Sequence, residues 1–274
     1  MSASKVRTVS DDTLRQQVRA RYKGFAVGSG SSASEDQSSS CCGEEAGSSC
    51  CGQSTIATQL GYATDDLVAL PEGANLGLGC GNPTAILALK PRQVVLDLGS
   101  GGGIDCFLAA KKVGAKGHVI GVDMTPEMVA KARANAQKGH YANVEFRLGE
   151  IEHLPVADGS VDVVISNCVI NLVPDKGQVY REAFRVLRRD GRLAISDVVA
   201  TRPISARDRA NPALWSSCSS GALEVKELKS LLRRAGFKDV RVDVKVPDEV
   251  PESLKGQASL GVVSTDITAT KSQG

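Results

Sequence analysis

From residue 92 onward the chain alternates short, continuously apolar runs with amphipathic stretches, and this alternation constrains the fold more than any other feature. "QVVLDLG", "HVIGVD", "NVEFRLG", "VDVVISN" and "GRLAISDVV" are dominated by aliphatic and β-branched residues. Runs of this kind suit strands covered on both faces, as in a parallel sheet. Between them, "IDCFLAAKKVG" reads as a helix closed by Gly114. "TPEMVAKARANAQKG" has Thr125 at the N-cap position, Pro126 at the first helical position and Gly139 past the end. "DKGQVYREAFRVLRR" supplies the helix between the last two strands, and "EVKELKSLLRRAGF" supplies another near the C-terminus. Strands alternating with helices at this spacing predict an α/β fold on a doubly wound, mostly parallel Rossmann-like sheet. "KDVRVDVKV" and "GVVSTDITATK" read as closing strands.

Composition divides the chain into three regions. Residues 1–54 hold a short amphipathic helix over 11–26, with Leu14, Val18 and Tyr22 at helical spacing, and then a Gly/Ser-rich stretch. That stretch, "GSGSSASEDQSSSCCGEEAGSSCCGQS", has almost no apolar bulk to offset its ordering entropy, so a mobile segment is expected. Residues 55–200 carry the sheet, and 201–274 form a small α+β region whose first part, 201–220, reads as irregular. The sequence contains 33 Lys and Arg against 31 Asp and Glu, for a net charge of +2. No basic block stands out, which argues against nucleic acid as the partner. A polar N-terminus without a signal-peptide core, and no apolar run of spanning length, predict a cytoplasmic protein with no membrane partner. Its 8 cysteines should then be mostly free thiols.

"DLGSGGG", residues 97–103, joins the first strand to the first helix of the sheet. Its glycines allow a tight turn and close approach of backbone to ligand, and the helix N-terminus behind them favours an anionic group. A dinucleotide loop would place Gly or Ala at 104, where this chain has Ile104. Asp123 ends the second strand, where a carboxylate can hold ribose hydroxyls or simply cap a helix.

Strand, glycine loop, helix, strand and terminal acid in this order resemble the class I S-adenosylmethionine-dependent methyltransferases. The resemblance implies that the loop holds the methionine part of S-adenosylmethionine, the acid holds the ribose, and "GEIEHLP" flanks the adenine. By position it assigns Asp97, Gly99, Ser100, Gly101, Gly103, Asp123, Met124, Glu150, Ile151 and Asn167 to the cofactor.

The cysteines narrow the reading further. Ligand crevices of open α/β sheets lie beyond the carboxyl ends of the strands, so Cys168 in "SNCVINL" should stand at the crevice mouth. Cys80 in "LGLGCGNP" and Cys218 in "LWSSCSSGAL" lie in polar, Gly-rich surroundings that offer no helix face to bury them. Cys106 sits on a helix facing the sheet and reads as core. Thiolates from several loops suit a soft metalloid or metal; zinc fits less well, because the close C-x₂₋₄-C pairs of structural zinc sites are missing from these loops. "CCGEEAGSSCC" could chelate a metal by itself.

Together these motifs, with "GVDMTPEM", "EAFRVL" and "SDVV", resemble the arsenite S-adenosylmethionine methyltransferases from about Leu14 to Lys271. The resemblance implies that Cys168 and Cys218 hold trivalent arsenic. It implies that Cys80 is the third thiol, working with an N-terminal cysteine on the inorganic form and in thiol–disulfide chemistry. Cys51, then Cys50, is favoured for that cysteine over Cys41 and Cys42. A thiol reductant, thioredoxin or glutathione, and a monomeric chain are expected. Arsenic binding should displace thiol protons and so depend on pH. No general base is needed for methyl transfer, in keeping with His118, His140 and His153, which form no triad. Two other readings stay open: methylation of a small organic molecule such as a quinone or sterol, and a non-enzymatic metalloid or zinc sensor.

Overall fold

The structure is a computed structural model that describes residues 10–28, 56–245 and 260–272. The expected mobile stretch, with Cys41, Cys42, Cys50 and Cys51, lies outside the described residues. Seven strands are found among the described residues: β1 (Val94–Leu98), β2 (His118–Asp123), β3 (Val144–Leu148), β4 (Val161–Asn167), β5 (Leu187–Ala200), β6 (Lys238–Val244) and β7 (Val262–Lys271). They form one sheet in the order β3-β2-β1-β4-β5-β7-β6. β1 pairs in parallel with β2 and β4, β2 with β3, and β4 with β5, whereas β7 runs antiparallel to both β5 and β6. The closing strands therefore complete the same sheet.

The helices are α1 (Asp11–Val27), α2 (Thr64–Val68), α3 (Pro83–Ile86), α4 (Ile104–Val113), α5 (Pro126–Lys138), α6 (Lys176–Val186), α7 (Ala206–Arg209), α8 (Pro212–Ser216) and α9 (Val225–Arg234). Gly114 caps α4 as the sequence predicts, with its N–H on the Ala110 carbonyl. Thr125 stands at the N-cap of α5 but makes no side-chain cap hydrogen bond. α6 ends earlier than expected. Leu187 takes extended torsions and pairs with Val161 across a register shift, and Arg188 reaches Asp162 at 2.9 Å, so "LRR" joins β5. Residues 201–220, expected to be irregular, contain the short helices α7 and α8.

Successive side chains on a strand point to opposite faces, and both faces here are apolar. Leu96, Val164 and Ile195 pack with α6 and α9 on one side, whereas Val95, Val163 and Ala194 pack with α4 and α5 on the other. The strand order reverses at β1, whose neighbours are β2 and β4. A crevice opens beyond the carboxyl ends at such a point. No helix of the described residues is long and apolar enough to cross a membrane.

Candidate active site

The crevice holds a cavity of about 290 Å³, with the glycine loop on one side and α1 on the other. The loop is pinned to β2, because the N–H groups of Gly99 and Ser100 both donate to the Val122 carbonyl, at 2.8 and 3.1 Å. Asp123 accepts from the Gly101 N–H at 3.0 Å and from the Thr125 N–H at 2.8 Å, and burial raises its pKa. It thus braces the loop and still lines the cavity. Asp97, Gly99, Ser100, Gly101, Met124, Ile151 and Asn167 line it as well.

Two residues expected at the cofactor are not among those lining the cavity. Gly103 is the N-cap of α4 at φ 98°, and a Cβ there would meet the Phe107 ring at 2.7 Å. Its contribution is to let α4 pack close. Glu150 faces α1 and reaches Arg19 at 3.5 Å and Arg15 at 3.8 Å. The acid lining the cavity after β3 is Glu152, which is buried and paired with Arg15 at 3.0 Å. Two further observations fit a polar ligand. The Ser100 hydroxyl is buried with no hydrogen-bond partner, and a Cβ at Gly101 would meet nothing within 4 Å.

The thiols sit beside this cavity. The Cys168 sulfur is within hydrogen-bonding contact of both Cys80 and Cys218. The sulfurs of Cys80 and Cys168 and a carboxylate oxygen of Asp197 lie within 4.8 Å of one another, and the Cys218 thiol donates to the Cys168 carbonyl at 3.0 Å. All three cysteines are free thiols. They come from three loops separated by long stretches of chain, and close backbone approach brings them together. A Cβ at Gly79 would lie 2.9 Å from Asn167 Nδ2, and one at Gly81 only 2.7 Å from Ser196 Oγ. These two glycines let the Cys80 loop rest on the ends of β4 and β5. Asn167 locks that loop by accepting from the Cys80 N–H at 3.0 Å and donating to the Gly81 carbonyl at 2.8 Å. Trp215 Nε1 donates to the Leu172 carbonyl at 2.9 Å, and the buried Lys176 ammonium lies 4.9 Å from the Trp215 ring centroid. Together these contacts hold the Cys218 loop against the turn that follows Cys168.

Cys168 and Cys218 both adopt left-handed torsions, φ 55° and 64°. An L-residue takes this region at a cost, and such outliers gather at functional sites. The sequence places neither glycine nor asparagine at these two positions, so each thiol is held where the backbone resists it.

The expectation that Cys80 and Cys218 escape burial is wrong, since they are only 2% and 4% exposed. Their loops are polar, but Val18 and Tyr22 of α1 close over them, and Leu172, Val198 and Ala222 complete an apolar chamber. α1 is tied down at both ends of this lid by Arg15–Glu152 at 3.0 Å and Lys23–Glu127 at 2.8 Å. Burial pushes the Cys80 thiol up to about 11. For Cys218, its hydrogen bond with Cys168 and then burial raise the pKa well above the ordinary value. For Cys168 the hydrogen bond from Cys218 opposes the rise, but contact with Cys80 and burial outweigh it. Burial and mutual contact thus favour the neutral form of all three thiols. Cys106 is core, as expected.

Asp105, Glu152 and Asp197 are site acids that sequence reasoning missed. Asp197 is buried, is raised to about 6 by desolvation, and keeps one oxygen without a partner. "GGGID" and "SDVV" contain two of these acids, but nothing local marks Asp105 as facing the cavity or Asp197 as lying beside the thiols. None of the three histidines lines it, and His118 pairs with Glu145 at 3.0 Å.

Comparison with known proteins agrees with this geometry. The model of the family described as "Methyltransferase domain" matches residues 89–236. An arsenite methyltransferase of Halobacterium salinarum is 50% identical over 95% of this chain and 67% of its own length. One from Aquipseudomonas alcaligenes is 45% identical over 67% of this chain and 54% of its own. The crystal structure of an arsenic(III) S-adenosylmethionine methyltransferase from Chlamydomonas reinhardtii superposes with a TM-score of 0.62 and 36% identity, covering 80% of this chain and 73% of that one. The chain thus spans between about half and two thirds of the curated relatives' length. By fold, by glycine loop and by relatives, this chain belongs to the methyltransferase-domain family and, within it, to the arsenite methyltransferases.

Proposed function

We propose that this chain moves methyl groups from S-adenosylmethionine to trivalent arsenic held by Cys80, Cys168 and Cys218. The observation that supports this most is the convergence of three free thiols from separate loops in a largely apolar chamber that shares Val18, Tyr22 and Met124 with the cofactor cavity. Sulfur ligands select soft acceptors of this kind.

In the cavity, Asp97, Ser100 and Gly101 would hold the methionyl part of the cofactor, Asp123 the ribose, and Ile151 the adenine. Bound there, S-adenosylmethionine supplies a sulfonium-activated methyl, which the arsenic lone pair accepts without loss of a proton. The protein's own contribution is loading and aim. Each S–As bond replaces an As–O bond of arsenous acid, and the thiol proton leaves with the hydroxide as water. Loading from neutral arsenous acid onto neutral thiols thus releases no net proton, unlike the pH-dependent proton displacement expected from the sequence. A neutral thiol is therefore the right starting state, and the neutral tris-thiolate product places no net charge in an apolar chamber. The left-handed torsions at Cys168 and Cys218 fix two sulfurs before substrate arrives, so ordering costs are met in folding and not in the reaction. α1 excludes water from above.

Methylation formally oxidises arsenic. In this reading, Cys80 and an N-terminal cysteine, Cys51 being favoured, return the electrons by forming a disulfide, which thioredoxin or glutathione then reduces. Residues 201–274 supply the Cys218 arm of the substrate site. A reducing cytoplasm and a monomeric chain complete the proposal. Chromatographic speciation of arsenic after incubation with S-adenosylmethionine and a thiol reductant tests it. Methylated arsenicals are expected, and unchanged arsenite at full cofactor occupancy would refute it.

A further inference from the structure

Asp97 at the end of β1 and Asp105 in the first turn of α4 are only 2% and 3% exposed, and both line the cofactor cavity. Their hydrogen-bond donors are neutral. Cys106 Sγ donates to Asp97 at 3.3 Å, Tyr62 Oη to Asp105 at 2.9 Å, and Asn167 Nδ2 to Asp105 at 3.2 Å. Among the described residues, the charged and titratable groups facing the pair are Tyr62, Cys106, Asp123 from β2, and Lys112 farther along α4. The Lys112 ammonium is occupied by the Thr84 carbonyl at 2.9 Å. Among the described residues no cation touches either carboxyl.

Two anions confined together without a counter-ion do not both ionise readily. Burial and then the charge of Asp105 push Asp97 well above the carboxylate range, and burial pushes Asp105 up to about 6. A second feature of the same cavity suits a polar ligand independently: the Ser100 hydroxyl, 6% exposed, has no hydrogen-bond partner among the described residues.

We infer that Asp97 and Asp105 between them hold one proton before the cofactor binds and surrender it to solvent when the α-ammonium of the cofactor's methionyl group arrives. The step is an exchange of cations: one proton leaves, one ammonium enters, and no covalent bond of the cofactor changes. Asp105 is thereby a cofactor-binding residue alongside Asp97. The inference rests on the cofactor assignment and is independent of the acceptor, so it stands even where arsenic fails as substrate. Its linkage sign follows from selective binding to the ionised pair. Affinity should be flat above the pair's titration range and fall about tenfold per pH unit below it.

Calorimetry on the full chain without arsenical tests this, with S-adenosylhomocysteine, which carries the ammonium, and 5′-methylthioadenosine, which lacks it. Titrations at pH 6 in two buffers of different ionisation heat count the protons released. Homocysteine-bearing ligand should release up to about one proton and the methylthio ligand none. Equal release by both, or none by either, would overturn the proposal. In Asp105→Asn burial still raises Asp97 but the second charge is gone, so the release at pH 6 should fall and the pH dependence of S-adenosylhomocysteine affinity should move to lower pH, while 5′-methylthioadenosine affinity changes less than about twofold. Release and pH dependence both unchanged in that variant would remove Asp105 from the pair. The wild-type comparison decides the question even where the variant fails to fold.

Discussion

If the backbone at Cys168 is strained, glycine there should behave opposite to its usual effect. Cys168 has φ 55°, a region that costs an L-residue about 1–2 kcal/mol and glycine almost nothing. Replacing Cys168 by Ala removes the thiol and keeps the strain, whereas Gly removes both. Glycine pays for its wider freedom in the unfolded chain, about 0.4–1 kcal/mol, and loses about half of a buried methyl's 0.8 kcal/mol at this half-buried site. The balance leaves Cys168→Gly about as stable as Cys168→Ala, or about 0.5 kcal/mol better. Ala194 in β5, fully buried in an ordinary strand, provides the control. With no strain to relieve, Ala194→Gly should lose about 1–2 kcal/mol. Urea unfolding of the pairs, read as midpoints at unchanged slope, measures both differences. The reasoning fails if Cys168→Gly lies below Cys168→Ala by as much as Ala194→Gly lies below the parent. Neither Cys168 variant should bind arsenite as the parent does, since both lack the thiol; retained binding would remove Cys168 from the site.

Other outcomes follow from the same geometry. Cys168→Ser or Cys218→Ser should abolish methylation of every trivalent arsenical, whereas Cys80→Ser should block inorganic arsenite and spare a monomethylated substrate; speciation decides, and equal turnover of both by Cys80→Ser would remove Cys80 from the site. Asp123→Ala should weaken cofactor binding by about 10- to 100-fold in calorimetry, as expected for loss of charged hydrogen bonds; unchanged affinity would place the ribose elsewhere. Asp197, raised to about 6 by burial, holds a proton that the unfolded chain gives up near pH 4. Its contribution to stability is therefore full below about pH 4 and lost as the pH rises through about 6. Asp197→Asn should raise the unfolding free energy measured with urea at pH 8 by up to about 3 kcal/mol and lose that advantage near pH 4.5; equal destabilisation at both pH values would show that Asp197 is not buried as a neutral acid.

Much of this molecule is decided locally. Apolar runs such as "VVLDL" and "VDVVIS" specify doubly covered strands, Gly114 ends its helix, and the order of strand, glycine loop and acid places Asp123 beside the loop. These features depend on torsional preference and periodicity over a few residues, which the sequence by itself carries. The beginning of β5 at Leu187 does not, because it depends on pairing with Val161. Nor does the fate of the thiols. Cys80 and Cys218 sit in polar local sequence yet are buried, because α1, far away in the chain, closes over them. Glu150 and Glu152 are two residues apart and both reach Arg15 of α1, yet only Glu152 lines the cavity, which nothing in the local sequence distinguishes. Burial and convergence are properties of surfaces brought together by strand order. Tertiary structure therefore decided which acids carry unusual protons and which three sulfurs meet.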